Sequence, residues 1–352
     1  MFDLWANVDD SSDKDILETN DSLNYAINTI SGNIIDTLMS LLWNDYKDKN
    51  SDLSVFLNYK EFIEKEILLK ETNKARIGLS IISSKMYYLF TFDSEWVTQN
   101  LIPLISDKNK YSIVWNSFSY SAPSFTKSFI IALHPHIKKL NENIVEYNRL
   151  INIERVYEFY ILMYFTSLLF FKDIYRNFNI DKFINNIDEE KLGIFYNNLI
   201  NKLDSEVIKK YSVKVEKWIL SFWKKRLLYT SSSKEKTELL YLLFKVRVER
   251  IDECIEIIKL AEYEQMDDHF IYKIQNKEYD KLYPQKTIFI FNAIITERTI
   301  ENENFAFHYL KEIITGLVEN NKTNNDLREL LTKLITLNCD WANDLLEKMD
   351  IK

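Results

Sequence analysis

The stretch VIKKYSVKVEKWILSFWKKRLLY at residues 207–229 carries a clear helical pattern. On a helix of 3.6 residues per turn, its lysines and its apolar side chains fall on opposite sides. The basic side holds Lys210, Lys214, Lys217, Lys224 and Lys225. The apolar side holds Val215, Ile219, Phe222 and Trp223. The pattern predicts an amphipathic helix with one buried face and one cationic face.

Apolar residues recur at three- and four-residue steps along most of the chain from Leu23 onward, which is typical of helices. The 352 residues include only four glycines and four prolines. Hairpin turns and glycine-rich phosphate loops depend on such residues, so sheet-rich folds and nucleotide-binding loops are unfavoured. We therefore expect an all-α protein. The short links favour antiparallel neighbours, in a compact multi-helix array or an irregular α-solenoid.

Apolar spacing and charge along the sequence divide the chain into three predicted parts. Residues 1–22 are acidic and polar and are expected to form a flexible tail. An alternative is a short docking peptide that uses Trp5, the one large anchor in this part, to contact a partner. Residues 23–145 are predicted to form an N-terminal helical subdomain, and residues 146–352 a C-terminal helical subdomain.

Charge and cysteine content limit the class of protein. The formal net charge of −8 argues against a surface that binds nucleic acid all over. Two distant cysteines, Cys254 and Cys339, indicate no disulfide framework and favour the reducing cytoplasm. The apolar run Tyr157 to Phe171 is shorter than the roughly 18–20 residues of a membrane span. It is therefore predicted to be a buried core helix, and no membrane contact is expected.

No local motif identifies a catalytic, cofactor-binding or metal-binding residue, and we expect none of these sites. Of the four histidines only His134 and His136 are close, on either side of Pro135, which is predicted to end a helix. A metal site needs three or four converging ligands, and this pair offers two. An enzyme whose site is assembled only by the fold stays an open alternative.

The basic side of residues 209–226 is the best candidate contact surface. It can bind nucleic-acid phosphates or an acidic protein partner, or it can be an ordinary solvated face. Arg247 and Arg250 would extend it if the next helix packs antiparallel. The acidic N-terminal part is itself a candidate partner, within one chain or between subunits.

Several short segments follow the order and spacing of a known family from residue 23 across nearly the whole chain. They are Leu23-Asn24, Leu41-Leu42-Trp43, residues 75–80, Leu89-Phe90, Asp93, Trp96-Val97, residues 101–104, residues 114–118, residues 130–135, Trp218 and Phe222-Trp223. In these segments the chain resembles the bacterial helical domain-of-unknown-function family 4020. Members typically lie C-terminal to sirtuin-like domains in proteins associated with phage defence.

The resemblance implies a non-catalytic sensor or scaffold that acts by protein–protein contact. In related defence sirtuins the sirtuin-like part degrades NAD, and the helical part is thought to sense infection or hold the oligomer. The implied partner is an effector such as a sirtuin-like NADase, a phage protein, or a second copy of the chain. No catalytic residue carries over, because the matched motifs are aromatic, proline and small residues.

The chain departs from the family pattern at particular positions. Ser117 stands where the family usually has glycine, and His134 stands where it has lysine before proline. The sequence starts about twenty residues before the first matching segment and lacks a sirtuin-like half. We expect either a separately encoded enzyme or a stand-alone helper or fragment.

Overall fold

The computed structural model describes residues 2–8, 14–19, 21–48, 56–121, 125–143, 152–264, 268–297, 299, 306–321 and 323–350. Within these ranges every regular element is helical, which confirms the prediction of an all-α multi-helix array. Contacts between Cα atoms group the chain into two compact units, Met1–Ile187 and Asp188–Lys352.

The first unit contains helices α1 to α12, a π-helical turn and two 3₁₀ turns. Its α-helices are α1 Phe2–Asn7, α2 Ser22–Ile27, α3 Ile30–Asp48, α4 Phe56–Phe62, α5 Asn73–Ser84, α6 Met86–Phe92, α7 Ser94–Asn100, α8 Tyr111–Phe118, α9 Lys127–Glu142, α10 Ile153–Phe170, α11 Lys172–Tyr175 and α12 Ile180–Asn185. The π-helical turn is Ile63–Leu68, and the 3₁₀ turns are Ile16–Glu18 and Ile102–Ser106.

Helix α5 is central to the first unit and packs against α2, α3 and α8. The hydroxyl of Thr72 caps its start by accepting a hydrogen bond from the backbone N–H of Ala75. Ser117 on α8 is fully buried, and its hydroxyl oxygen lies 2.7 Å from that of Ser80 on α5. This hydrogen bond gives both buried hydroxyl groups a partner in the core.

Helix α9 runs through Pro135, so the expectation that this proline ends a helix is wrong. The proline side chain is exposed, while Leu133 and Ile137 on either side of it are fully buried. Burial of the apolar face continues the helix past the one backbone donor that proline lacks. Helix α10 packs against α9. This packing accounts for a first unit that extends to residue 187, beyond the predicted boundary at residue 145.

The run from Tyr157 to Phe171 lies mostly within α10, and most of its side chains are buried as predicted. The outward positions are taken by side chains such as Phe170, which is 48% exposed. Among the described residues, no helix combines the length and the hydropathy that crossing a bilayer requires.

The second unit contains helices α13 to α23. They are α13 Glu189–Leu203, α14 Glu206–Lys209, α15 Ser212–Tyr229, α16 Ser233–Leu240, α17 Ile251–Ile258, α18 Asp268–Asn276, α19 Tyr279–Leu282, α20 Pro284–Ile294, α21 Ala306–Asn320, α22 Asn325–Thr336 and α23 Trp341–Asp350. Two 3₁₀ turns, Tyr241–Lys245 and Val248–Arg250, lie between α16 and α17. Helices near in sequence pack together, including α13 with α16, α17 with α20, and α22 with α23.

Candidate partner-binding surface

Helix α15 covers most of the amphipathic stretch at residues 207–229, and its apolar side is buried in the core. Four side chains, each at most 5% exposed, form the predicted apolar face: Val215, Ile219, Phe222 and Trp223. Because these positions recur every three or four residues, the opposite side of α15 faces solvent. Trp218 is only partly buried and stacks on Phe222, with 4.8 Å between ring centroids.

The five predicted contact lysines lie outside the core, although not all of them lie on α15. Lys217, Lys224 and Lys225 are exposed on the helix, and Lys214 is partly buried near its start. Lys210 is exposed in the turn before the helix. Within the described ranges, no ion pair involves Lys210, Lys217 or Lys224. Their positive charges are therefore not neutralised within this part of the chain.

Large apolar side chains are exposed at both ends of this row of lysines. They are between 39% and 77% exposed, and they are Val207, Tyr211, Val213, Leu228 and Tyr229. From Val213 to Leu228 the helix rises about 22 Å. We call these five residues and the five lysines the α15 surface. Exposed apolar groups beside polar ones are typical of interaction sites.

Glu216, the one acidic residue in the stretch, lies on the buried side and binds Arg247. The backbone N–H and the Nε–H of Arg247 donate to Glu216 Oε1 at 3.2 and 2.8 Å. This ion pair raises the pKa of the Arg247 guanidinium. Arg250 donates its Nε–H and an Nη2–H to the two carboxylate oxygens of Glu253, each at 2.7 Å. Each predicted extension of the basic side is thus neutralised by a carboxylate.

A buried ionic network fixes the far end of α15. Arg226 on α15 donates two hydrogen bonds to Glu235 on α16, at 2.8 and 2.9 Å. The hydroxyl of Tyr196 on α13 donates to the same carboxylate. All three side chains are at most 5% exposed. Burial and the neighbouring Glu235 carboxylate raise the pKa of Tyr196 well above its ordinary value, so this hydroxyl stays protonated.

Sequence reasoning counted Arg226 among the basic residues of the stretch and missed this network. Two signals were available. Arg226 falls on the apolar side of the helical pattern, and residues 232–235 read Ser-x-x-Glu, a helix-start motif. Ser232 does cap α16, by accepting from the Glu235 N–H at 3.1 Å. The Glu235 side chain, however, turns to Arg226.

A cleft of about 260 Å³ lies beside the first half of α15. Its apolar lining includes Ile208, Ile219 and Phe244. Ion pairs at this cleft join Glu216 to Arg247 and Lys245 to Asp204. The cleft adjoins α14, so it offers an apolar recess next to the exposed Val207.

Trp5, the predicted docking anchor, is 3% exposed and packs inside the first unit of its own chain. The described parts of residues 1–22 include two short helical segments, which differs from the predicted flexible tail. Burial of Trp5 and Ile16 provides the reason. Asp15 pairs with Arg76 at 3.3 Å, so this acidic residue is bound within the first unit. Asp9, Asp10 and Asp13 lie outside the described residues.

The histidines and cysteines form no metal-binding cluster in the described part of the chain. Among the described residues, no three His, Cys, Asp or Glu side chains are placed to share a metal ion. The ring nitrogen Nδ1 of His136 lies 2.9 Å from the hydroxyl of Ser106. Burial raises the pKa of the Cys254 thiol to about 12, which keeps it protonated near pH 7.

His134 predicts a measurable pH effect on stability. Its ring centroid lies 4.1 Å from that of Phe178, with the two rings tilted by 39°. Burial together with nearby Lys138 lowers the pKa of His134 from 6.5 to about 4. Between these values the unfolded chain binds a proton that the folded chain does not, so acidification favours unfolding. We expect the free energy of unfolding to fall by about 2 kcal/mol more in wild type than in His134→Gln between pH 7 and pH 4.5. Urea unfolding of both proteins at the two pH values measures this difference. An equal loss of unfolding free energy in the two proteins would contradict the lowered pKa of His134.

Comparison with known proteins gives no relative. No family model, curated protein or solved structure matches this chain. The evidence for function therefore comes from the α15 surface and from the buried ion pairs that position α15.

Proposed function

We propose that this protein is a non-catalytic helical sensor or scaffold module of a bacterial anti-phage system, acting in the cytoplasm through contact with a protein partner. The partner is an effector, such as a sirtuin-like NADase, or a phage protein that acts as trigger. The family resemblance in the sequence supports the defence role. The α15 surface supports a role in binding, and it is the observation that carries the proposal.

The composition of the α15 surface favours a protein partner. Three of its five exposed apolar side chains, Val207, Val213 and Leu228, are aliphatic and gain by burial against another apolar surface. The other two, Tyr211 and Tyr229, are the only ones of the five with a ring that could stack on bases. The unpaired charges of Lys217 and Lys224 favour an acidic rim on the partner. An acidic amphipathic helix or loop matches both features.

The proposed mechanism is a shift between populations. A trigger that binds one arrangement of the helices more tightly than another changes the fraction of chain able to hold its effector. The ion pairs of Glu216 and Arg226 fix α15 in the second unit, so the α15 surface is a rigid platform for such a contact.

Lysine reversal tests the surface directly. We expect Lys217→Glu/Lys224→Glu to abolish recovery of the partner when the tagged chain is isolated from its phage-infected host. The matched control is Lys311→Glu/Lys348→Glu, which makes the same charge change at two other exposed lysines. Both variants should melt within a few degrees of wild type, because exposed substitutions cost little. Equal recovery with all three proteins would refute the role of the α15 surface.

Nucleic-acid binding is the second candidate, favoured by the exposed rings of Tyr211 and Tyr229 near the unpaired lysines. Five lysine–phosphate contacts predict that the logarithm of the affinity for single-stranded DNA falls with the logarithm of salt concentration with a slope of about −3.5. The Lys217→Glu/Lys224→Glu variant should lower the magnitude of that slope by about 1.4 or more. Fluorescence anisotropy over a salt series measures both values. No binding at low salt would exclude this candidate.

A further inference from the structure

The cleft beside the first half of α15 has an apolar floor and room for one large side chain. Its volume is about 260 Å³. An apolar cavity of about 150 Å³ in a protein core holds a benzene molecule, so a phenylalanine or leucine side chain fits here. Six side chains, each at most 8% exposed, form the floor: Leu203, Ile208, Val215, Ile219, Phe244 and Val246. We call this recess the α15 cleft.

Arg247 lines the α15 cleft and keeps hydrogen-bond donors for a further carboxylate. Its Nε–H is shared by both carboxylate oxygens of Glu216, at 2.8 and 3.0 Å. Glu216 is buried, whereas the side chain of Arg247 is 56% exposed. Within the part of the chain that the structure describes, the Nη1 and Nη2 groups of Arg247 make no hydrogen bond. The guanidinium is thus held in place by Glu216 and presents a planar fork that matches a second carboxylate.

The charges around the cleft select an acidic occupant. The segments 203–219 and 244–247, which contain its lining, carry an excess of three positive charges, although the whole chain has a net charge of −8. The basic residues of these segments are Lys209, Lys210, Lys214, Lys217, Lys245 and Arg247, and the acidic ones are Asp204, Glu206 and Glu216. An acidic segment is therefore attracted to this part of the surface and repelled by the average surface.

The α15 cleft is continuous with the α15 surface. The exposed Val207 directly precedes Ile208 of the floor, and the exposed Tyr211 and Val213 lie on either side of Ser212, which lines the cleft. A side chain that enters the cleft therefore brings its neighbours onto exposed apolar groups. A buried anchor surrounded by weaker contacts is typical of protein–protein interfaces.

We propose that the α15 cleft is the anchor site for a short acidic segment of the protein partner. The segment inserts one large apolar side chain into the cleft and places a neighbouring carboxylate on the Nη groups of Arg247. Its other carboxylates lie along the exposed lysines, such as Lys217. This inference rests on the proposed role of the α15 surface and adds the specificity of that surface, which is an apolar residue next to Asp or Glu.

Selection from a library of short random peptides tests this specificity. Peptides that bind the wild-type protein are expected to combine an excess of Asp and Glu with one recurring large apolar residue. Replacing that residue by alanine should weaken the binding of a labelled peptide at least about tenfold, as measured by fluorescence anisotropy, because anchors carry most of the binding energy. Selected peptides without an acidic excess or without an apolar anchor, or the absence of any selected peptide, would overturn the proposal.

Two variants test whether the selected peptide occupies the cleft. Ser212 is exposed and lines the cleft, so Ser212→Phe is expected to place a ring at its mouth. Arg247→Lys keeps a positive charge beside Glu216 and removes the planar fork. Each variant should weaken peptide binding about tenfold. The matched control is Ser231→Phe, at an exposed serine outside the cleft, and it should bind like wild type. Circular dichroism checks folding, and equal binding by all these proteins would overturn the proposal.

Isolation of the tagged chain from its phage-infected host separates this inference from the function on which it rests. Loss of the partner with both Ser212→Phe and Lys217→Glu/Lys224→Glu supports the anchor site. Loss with the lysine variant alone would overturn the anchor site and leave the α15 surface as the binding surface. Full recovery with both variants would refute the α15 surface itself.

Discussion

Replacing Glu235 by alanine is expected to lower the free energy of unfolding by about 3–5 kcal/mol. The change removes the carboxylate that accepts from Arg226 and from the Tyr196 hydroxyl, and all of these groups lie in the core. A buried guanidinium without its counter-ion keeps the full cost of desolvation. The size of the effect comes from the charge left behind. Urea unfolding monitored by circular dichroism measures it.

Two control variants distinguish the free-energy cost of an unpaired buried charge from the cost of losing an ion pair. Glu256→Ala removes a carboxylate that is exposed and pairs with Lys259, so it should cost less than about 1 kcal/mol. The triple variant Tyr196→Phe/Arg226→Met/Glu235→Leu removes both charges and the hydroxyl that donates to Glu235, and it should restore most of the stability, because apolar replacements of a buried pair are often neutral. A cost for Glu235→Ala as small as that for Glu256→Ala would contradict the buried network.

Replacing Trp115 by alanine is expected to cost about 3–5 kcal/mol of unfolding free energy in the first unit. The side chain is fully buried, with its ring 5.4 Å from that of Phe159, and its indole N–H donates to the carbonyl oxygen of Asn152 at 3.3 Å. Alanine leaves a large cavity in the core, and the lost transfer energy and the cavity both lower stability. Since domains are stable by only about 5–15 kcal/mol, this loss brings the unit close to unfolding.

Trp218→Ala is the matched comparison, because Trp218 is only partly buried. We expect it to cost less than half as much as Trp115→Ala, since less apolar surface leaves water at this position. Tryptophan fluorescence and urea unfolding of both variants provide the measurement. Similar losses at the two positions would show that burial does not decide the cost.

Periodic patterns in the sequence predicted the helical fold and the apolar face of α15. The predicted apolar residues Val215, Ile219, Phe222 and Trp223 are all buried. Such a pattern works because a helix places residues three and four apart on one side, whatever the rest of the chain does. Pro135 shows the limit of local rules, because burial of its neighbours maintains α9 through the proline.

Long-range pairing was not available from the sequence. Arg226 meets Glu235 because α15 and α16 pack together, and Arg247 meets Glu216 across 31 residues of chain. A count of charged residues treats Arg226, Glu235, Glu216 and Arg247 as surface charges. In the fold Arg226, Glu235 and Glu216 are buried, and all four are paired with an opposite charge. Trp5 illustrates the same point. The acidic residues near it indicated a flexible tail, but side chains between residues 62 and 78 pack around its ring.

Protection against phage tests the central claim most directly. The host locus with this chain deleted is complemented with wild type, Lys217→Glu/Lys224→Glu or Lys311→Glu/Lys348→Glu, and phage plaques are counted on each strain. The α15 surface predicts that wild type and the Lys311/Lys348 variant restore protection, while the Lys217/Lys224 variant plates phage like the deletion strain at an equal protein level. Unchanged phage sensitivity after deletion, or full protection by the Lys217/Lys224 variant, would contradict a defence module that acts through this surface.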